Sequence, residues 1–146
     1  IGRGQLRVLE QRVARRRRIV EIYREQLADL RQLQWMPEPA GCHSTRWLTC
    51  CTLAGSEPQA RRDAVLRSLE RHSIEARPVW KPMHLQPLYA GAAFFPHAPG
   101  QDVAGGLFEA GVCLPSGSNM TDDQVLRVAE QLRAALARVE AHLAAA

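Results

Sequence analysis

The chain is poor in lysine, in aromatic rings and in long apolar runs. Among its 146 residues Lys81 is the only lysine, and aromatic side chains make up 5%. No apolar stretch approaches the roughly 18 residues needed to span a bilayer, and no charged segment followed by an apolar one stands at the start. A soluble, cytoplasmic protein without membrane partners is the expectation. No tandem repeat is visible. There is no CxxC knuckle, and the even spacing of a secreted disulfide framework is missing from Cys42, Cys50, Cys51 and Cys113. A tetrahedral zinc site built on Cys42, His43, Cys50 and Cys51 would need four converging ligands, yet strand neighbours point to opposite faces. Reduced thiols and no metal are therefore expected.

A chain of this size can bury roughly two thirds of its unfolded surface in one domain. It opens on Ile1 rather than methionine and runs at once into a helical pattern, so part of a longer protein is expected. The net charge of +4 is almost wholly arginine, densest at Arg15, Arg16, Arg17 and Arg18. A nucleic-acid protein is also basic. Here, however, the run has no interleaved aromatics and no groove-reading motif, and Glu21 and Glu25 stand at helical spacing from Arg17, Arg18 and Arg24. A solvated helix face, with no nucleic acid as partner, is the reading.

Leu6, Leu9, Val13, Arg16, Val20, Tyr23, Leu27 and Leu30 step by three and four, which predicts one helix of about 30 residues, some 45 Å long. Arg16 breaks the stripe, and must either face solvent or meet an acid of another domain. Pro37, Pro39 and Gly41 make a loop. Residues 46–54 read as a strand. Ser56 with Gln59, and Pro58 early in the turn, predict a helix over 57–72 with Val65, Leu66 and Leu69 inside and Arg61, Arg62, Arg67 and Arg71 outside. A second strand runs from Ile74 to Val79. A long loop over 87–101 holds Phe94 and Phe95 as an aromatic plug, followed by a short helix over 101–110 and a third strand from Gly111 to Leu114. Thr121 with Gln124 opens the last helix, with the stripe Val125, Val128, Leu132, Leu136, Val139, Leu143. The fold class is α/β, or a small α+β domain: three strands covered by helices. Residues 1–36 are read as a long connecting helix and 37–146 as the α/β domain.

The segment Arg77, Pro78, Val79, Trp80, Lys81, Pro82, Met83, His84, Leu85, Gln86, Pro87 places three prolines, an indole, an imidazole and a cation within eleven residues. Proline fixes φ and extends the residue before it, so the segment is a stiff loop able to hold polar groups against a ligand. Two readings stay open for Trp80, a ring presented to a ligand or one tucked into the core. His84 is likewise either a ligand contact or a cap on backbone carbonyls.

The sequence RPVWKPMHLQ over Arg77–Gln86, the opening Ile1–Leu6, Arg17 and Tyr23 in an "RR…Y" pattern, and the turn in GVCLPSGSNMT over Gly111–Thr121 resemble the C-terminal part of the DegT/DnrJ/EryC1/StrS family of sugar aminotransferases. Within it the likeness is to the bacillosamine-type enzymes that aminate UDP-4-keto-6-deoxy-HexNAc sugars in surface polysaccharide or glycoprotein biosynthesis. The resemblance implies the C-terminal domain of a fold-type I aminotransferase, with the pyridoxal phosphate (PLP) domain absent from the chain. It implies a homodimer that takes nitrogen from glutamate and gives it to a nucleotide-sugar ketone. It implies no catalytic residue here, since Lys81 does not match the family's Schiff-base position, and an inactive fragment when alone. It implies His84 as the foremost substrate contact, with Trp80, Lys81 and Gln86 beside it and Arg77 as a second cation for the diphosphate. The alternative is a non-catalytic dimerisation or binding module using Leu6, Leu9, Val13 and Val20.

Overall fold

A computed structural model describes residues 2–144, and side chains through residue 142. The order of elements is α1 (Gly2–Leu6), α2 (Leu9–Gln26), β1 (Leu33–Trp35), β2 (Thr49–Leu53), α3 (Pro58–Glu70), β3 (Arg77–Pro78), α4 (Val103–Ala110), β4 (Gly111–Leu114) and α5 (Asp122–Ala144). Two short 3₁₀ turns, Met83–Leu85 and Pro87–Tyr89, lie between β3 and α4.

The sheet has four strands in the order β1-β2-β4-β3, all neighbours antiparallel. The expectation of three strands is corrected by β1, whose Leu33 pairs opposite Leu53 of β2. Three residues are too few for alternation to show, and Leu30 had drawn the reading toward helix. Along β2, Thr49, Cys51 and Leu53 are buried while Cys50 and Thr52 are half-buried, the period of two that gives a sheet one inner face. The inner face carries Leu33, Cys51, Leu53, Val112 and Leu114, and helices α2, α3 and α5 fill the same cluster with Ile19, Tyr23, Val65, Leu69, Leu132 and Leu136. Each such side chain contributes about 1.5–3 kcal/mol by leaving water.

The single long helix over 1–36 is likewise corrected. A turn at Arg7 and Val8 separates α1 from α2, and α2 stops at Gln26. The stop has a physical cause: Arg133 of α5 donates to the Gln26 carbonyl at 2.6 Å and grips both oxygens of Asp29 at 2.6 and 2.7 Å. A cation at a helix C-terminus meets the orphan carbonyls and the negative end of the dipole. Of the expected stripe, Val20, Tyr23 and Leu27 are buried, but Leu6 is 69% exposed and Leu9 45%.

Helix α5 begins as expected. Thr121 Oγ1 accepts from the Gln124 amide at 3.3 Å, and Gln124 Oε1 accepts from the Thr121 amide at 2.9 Å, a reciprocal capping box. Its stripe Val125, Val128, Leu132 and Leu136 is buried and Val139 packs against the core; Leu143 lies outside the described side chains. The Ser56 cap does not form. Glu57 precedes α3 in the left-handed region, without a side-chain cap, and Pro58 takes the first turn as expected.

Arg61 and Arg62 are corrected from outside to inside: both are buried. Arg61 pairs with Glu140 of α5. Arg62 holds Asp63 at 2.8 Å, donates to the Phe108 carbonyl of α4 and lies 4.9 Å over the Phe108 ring. Burying a guanidinium is costly unless its donors are met; each of these arginines ties α3 to a neighbouring helix, while Arg61 Nε stays without a partner among the described residues.

Candidate functional site

The proline-rich segment is a surface loop, and its geometry begins with backbone constraint. Pro82 and Pro87 start the two 3₁₀ turns that set His84 and Gln86 in place. Gln86 Nε2 donates to the Lys81 carbonyl at 3.1 Å, closing the turn on itself. His84 is the best fixed of the segment. Its Nε2 lies 2.7 Å from Asp102 Oδ2, and its ring stacks on Phe94 with centroids 3.9 Å apart and planes 19° from parallel.

Asp102 does two things. Its Oδ1 accepts from the Gly105 amide at 2.8 Å, capping α4, and its other oxygen meets His84. The Gly105 amide first, then His84, hold its carboxyl below the usual aspartate range. An ionised Asp102 only accepts, so Nε2–H of His84 is the donor, and Nδ1 is the ring position left to meet a ligand. Since Arg62 ties α4 to α3, the position of His84 is referred back to the core through Asp102.

Trp80 is 67% exposed and lies 6.1 Å from the exposed ring of Trp47, so its indole is presented at the surface rather than tucked into the core. The Trp47 carbonyl accepts from Arg16 and from Ser116 Oγ at 3.2 Å, which answers where the stripe-breaking arginine goes. The other arginines of the run are also staples. Arg15 meets Asp122 at 2.5 Å and the Met120 carbonyl at 2.6 Å, and Arg17 meets Glu38 at 2.8 Å and the Ser44 carbonyl at 2.7 Å. Arg18 alone follows the expected helical pairing, with Glu21 and Glu25.

Lys81 is exposed beside Trp80 and His84 in the chain. Arg77 sits on β3 and its guanidinium is engaged by Glu75 at 2.8 Å, so the structure does not bring it to the His84 cluster. Phe95 is 86% exposed and plugs nothing, while Phe94 serves as the platform under His84. Asp102 and Trp47 escaped the sequence reading. An aspartate just ahead of a short helix is the residue type that caps, and that signal could have found Asp102. Nothing local in the sequence marks Trp47 as the neighbour of Trp80.

A PLP site needs a lysine that faces the cofactor, a carboxylate for the pyridine nitrogen and a phosphate cup at a helix start or nest. The described residues do not fit that group. Lys81 stands exposed on the loop, the start of α4 is filled by the Asp102 carboxylate, and the start of α5 is closed by its capping box.

Comparison with known proteins follows the same line. The model of the DegT/DnrJ/EryC1/StrS aminotransferase family matches residues 1–133. EpsN of Bacillus subtilis, described as a pyridoxal phosphate-dependent aminotransferase, is 45% identical over 133 residues, covering 90% of this chain and 33% of its own. GDP-perosamine synthase of Vibrio cholerae is 34% identical over 128 residues, 88% of this chain and 34% of that one. The crystal structure of the aminotransferase TlmJ from Streptoalloteichus hindustanus superimposes with a TM-score of 0.79 at 30% identity, over 94% of this chain and 35% of that chain. The chain thus spans about a third of the length of the proteins it matches.

Proposed function

Because the chain belongs to the DegT/DnrJ/EryC1/StrS aminotransferase family, we propose that it is the C-terminal part of a PLP-dependent transaminase that moves the amino group of glutamate to the C4 ketone of a UDP-4-keto-6-deoxy sugar. The observation that carries this reading is the fixed imidazole: His84, held edge-on by Asp102 and face-on by Phe94, in a stiff loop beside the one lysine of a chain from this family. PLP, when bound, supplies the electron sink for nitrogen transfer. Its lysine, pyridine partner and phosphate cup belong to other polypeptide, and this chain contributes the rim.

On that rim His84 offers Nδ1 as an acceptor to a sugar hydroxyl or, in the imidazolium form, as a donor to a phosphate oxygen, and Lys81 adds a positive charge for the diphosphate. A charge-assisted hydrogen bond is roughly twice as strong as a neutral one. Trp80, backed by Trp47, offers an apolar face, and Gln86 holds the loop's shape through the Lys81 carbonyl. Arg77 reaches this rim only if it leaves Glu75. A homodimer, a cytoplasmic location and a role in surface-glycan biosynthesis belong to the same reading.

The test is amino transfer from glutamate by the longer polypeptide that carries this segment, offered UDP- and GDP-linked 4-keto-6-deoxy sugars. Product from the UDP sugar bears the proposal out. Product from the GDP sugar alone overturns the nucleotide, and no product from either overturns the activity. The 146-residue chain mixed with PLP is expected to show no aldimine absorption band.

A second reading, an assembly module, is favoured by one observation. Leu6 and Leu9 stay exposed beside Trp47 along a cavity of about 910 Å³. Val20, once expected on the same face, is buried in the chain's own core and is unavailable to a partner.

A further inference from the structure

Two thiols stand apart from the loop site. Cys50 of β2 and Cys113 of β4 are direct partners in the antiparallel register, both on the sheet face opposite the core packed by α2, α3 and α5. Their Sγ atoms lie 3.5 Å apart, and both residues are half-buried. Opposed Cβ atoms in an antiparallel pair are about 4.5–5.5 Å apart, and a disulfide needs about 3.5–4.5 Å. A small closing of two strands already bonded to each other covers that difference.

The surroundings separate these sulfurs from the other two. Cys51 points into the core, where burial pushes its thiol up to about 12, and Cys42 is exposed on a loop. Cys50 lines an apolar recess of about 260 Å³ with Trp35, Met36, Val79 and Leu107. The hydrogen bond from Cys113 lowers the Cys50 thiol to about 7, and the same bond raises Cys113. The thiolate is the attacking form, and a neighbouring S–H that stabilises it is the natural resolving group.

We propose that Cys50 and Cys113 are a redox-active pair that a small-molecule disulfide converts into a bridge between β2 and β4, with Cys50 attacking and Cys113 resolving. In the first step the Cys50 thiolate bonds to one sulfur of the small disulfide, whose S–S bond breaks and whose other half leaves as a thiolate. In the second, Cys113 gives up its proton and its sulfur attacks Cys50, expelling the second half. Two protein thiols are oxidised to one disulfide while the small disulfide is reduced to two thiols. The bridge would join strands whose cysteines are 63 positions apart and withdraw the Cys50 sulfur from the recess. The inference does not depend on the aminotransferase reading.

The experiment uses the whole 146-residue chain with Cys42→Ser, oxidised glutathione as the probe, and intact-mass and peptide mass spectrometry. The expected result is loss of two hydrogens, a Cys50–Cys113 cross-linked peptide, and reversal by dithiothreitol. With Cys113→Ala in addition, one glutathionyl group should accumulate on Cys50; with Cys50→Ala, Cys113 should remain unmodified over the same interval. A chain that keeps its far-ultraviolet circular dichroism but forms no bridge overturns the proposal. So does glutathione found on Cys113 ahead of Cys50, or a bridge that involves Cys51. The bridge assay itself needs neither the Cys50→Ala nor the Cys113→Ala substitution, so it decides the matter even if a variant folds poorly.

Discussion

The imidazole of His84 and the carboxylate of Asp102 meet at 2.7 Å across a loop that carries the exposed side chains of Leu85, Leu88, Phe94 and Phe95, and the same carboxylate caps α4. One acidic residue therefore sets both a helix start and the orientation of the candidate ligand contact.

That double role can be split by substitution. Asparagine caps a helix about as well as aspartate, so Asp102→Asn should leave the thermal midpoint nearly unchanged while removing the charge that faces His84. In the longer polypeptide, His84→Ala should cost about 1.5–3 kcal/mol in kcat/KM if Nδ1 bonds a charged group. Asp102→Asn should alter the pH dependence of kcat/KM without abolishing it. An unchanged rate in His84→Ala removes His84 from the site.

Glu38 binds Arg17 at 2.8 Å, the Ser44 amide at 2.8 Å and Arg46 at 3.0 Å, and these partners, Arg17 foremost, hold its carboxyl down to about 2. An unfolded glutamate titrates near pH 4.3. Its contribution to stability is thus complete above that value and lost as pH falls through about 2. Urea midpoints measured across this window should fall with pH in the parent chain and fall less steeply in Glu38→Gln.

Arg62 is buried and satisfies the Phe108 carbonyl as well as Asp63. Arg62→Ala leaves that carbonyl short of a donor and removes the cation from the Phe108 face, a loss of about 2–3 kcal/mol in urea unfolding. Arg67→Ala, on the exposed side of the same helix, should stay within about 0.5 kcal/mol of the parent.

Gly55 has φ of +132°, and a Cβ there would stand 2.7 Å from the Arg61 guanidinium. Gly55→Ala therefore strains the backbone and pushes a buried cation from its partner Glu140. Destabilisation of about 1–3 kcal/mol is expected, read as a lowered thermal midpoint.

The assembly reading is checked by light scattering. If Leu6 and Leu9 meet a second copy, Leu6→Ser with Leu9→Ser should shift a dimer to monomer; a parent chain that is monomeric at all concentrations removes that reading.

What could be read from sequence follows how local each signal is. The capping box at Thr121 and Gln124, the stripe of α5 and the strand Gly111–Leu114 each rest on residues a few positions apart, and all three are found where the pattern put them. The end of α2 is written in Arg133, 107 positions from the carbonyl it caps, and no window along the chain contains both. Arg61 and Arg62 looked like solvated charges because their partners, Glu140 and the Phe108 carbonyl, come from other helices. His84 stood out by residue type and Asp102 carries a helix-capping signal, while the meeting of both with Phe94 became visible only once the loop had folded back on itself.

The pairing of Trp47 with Trp80 also gives the molecule a built-in optical gauge. Two indoles 6.1 Å apart on the surface couple their electronic transitions, whereas Trp35 sits against Tyr23 inside. Any movement that carries the loop away from the body of the protein would decouple the outer chromophores and leave the inner one undisturbed, so the loop reports its own position without a label.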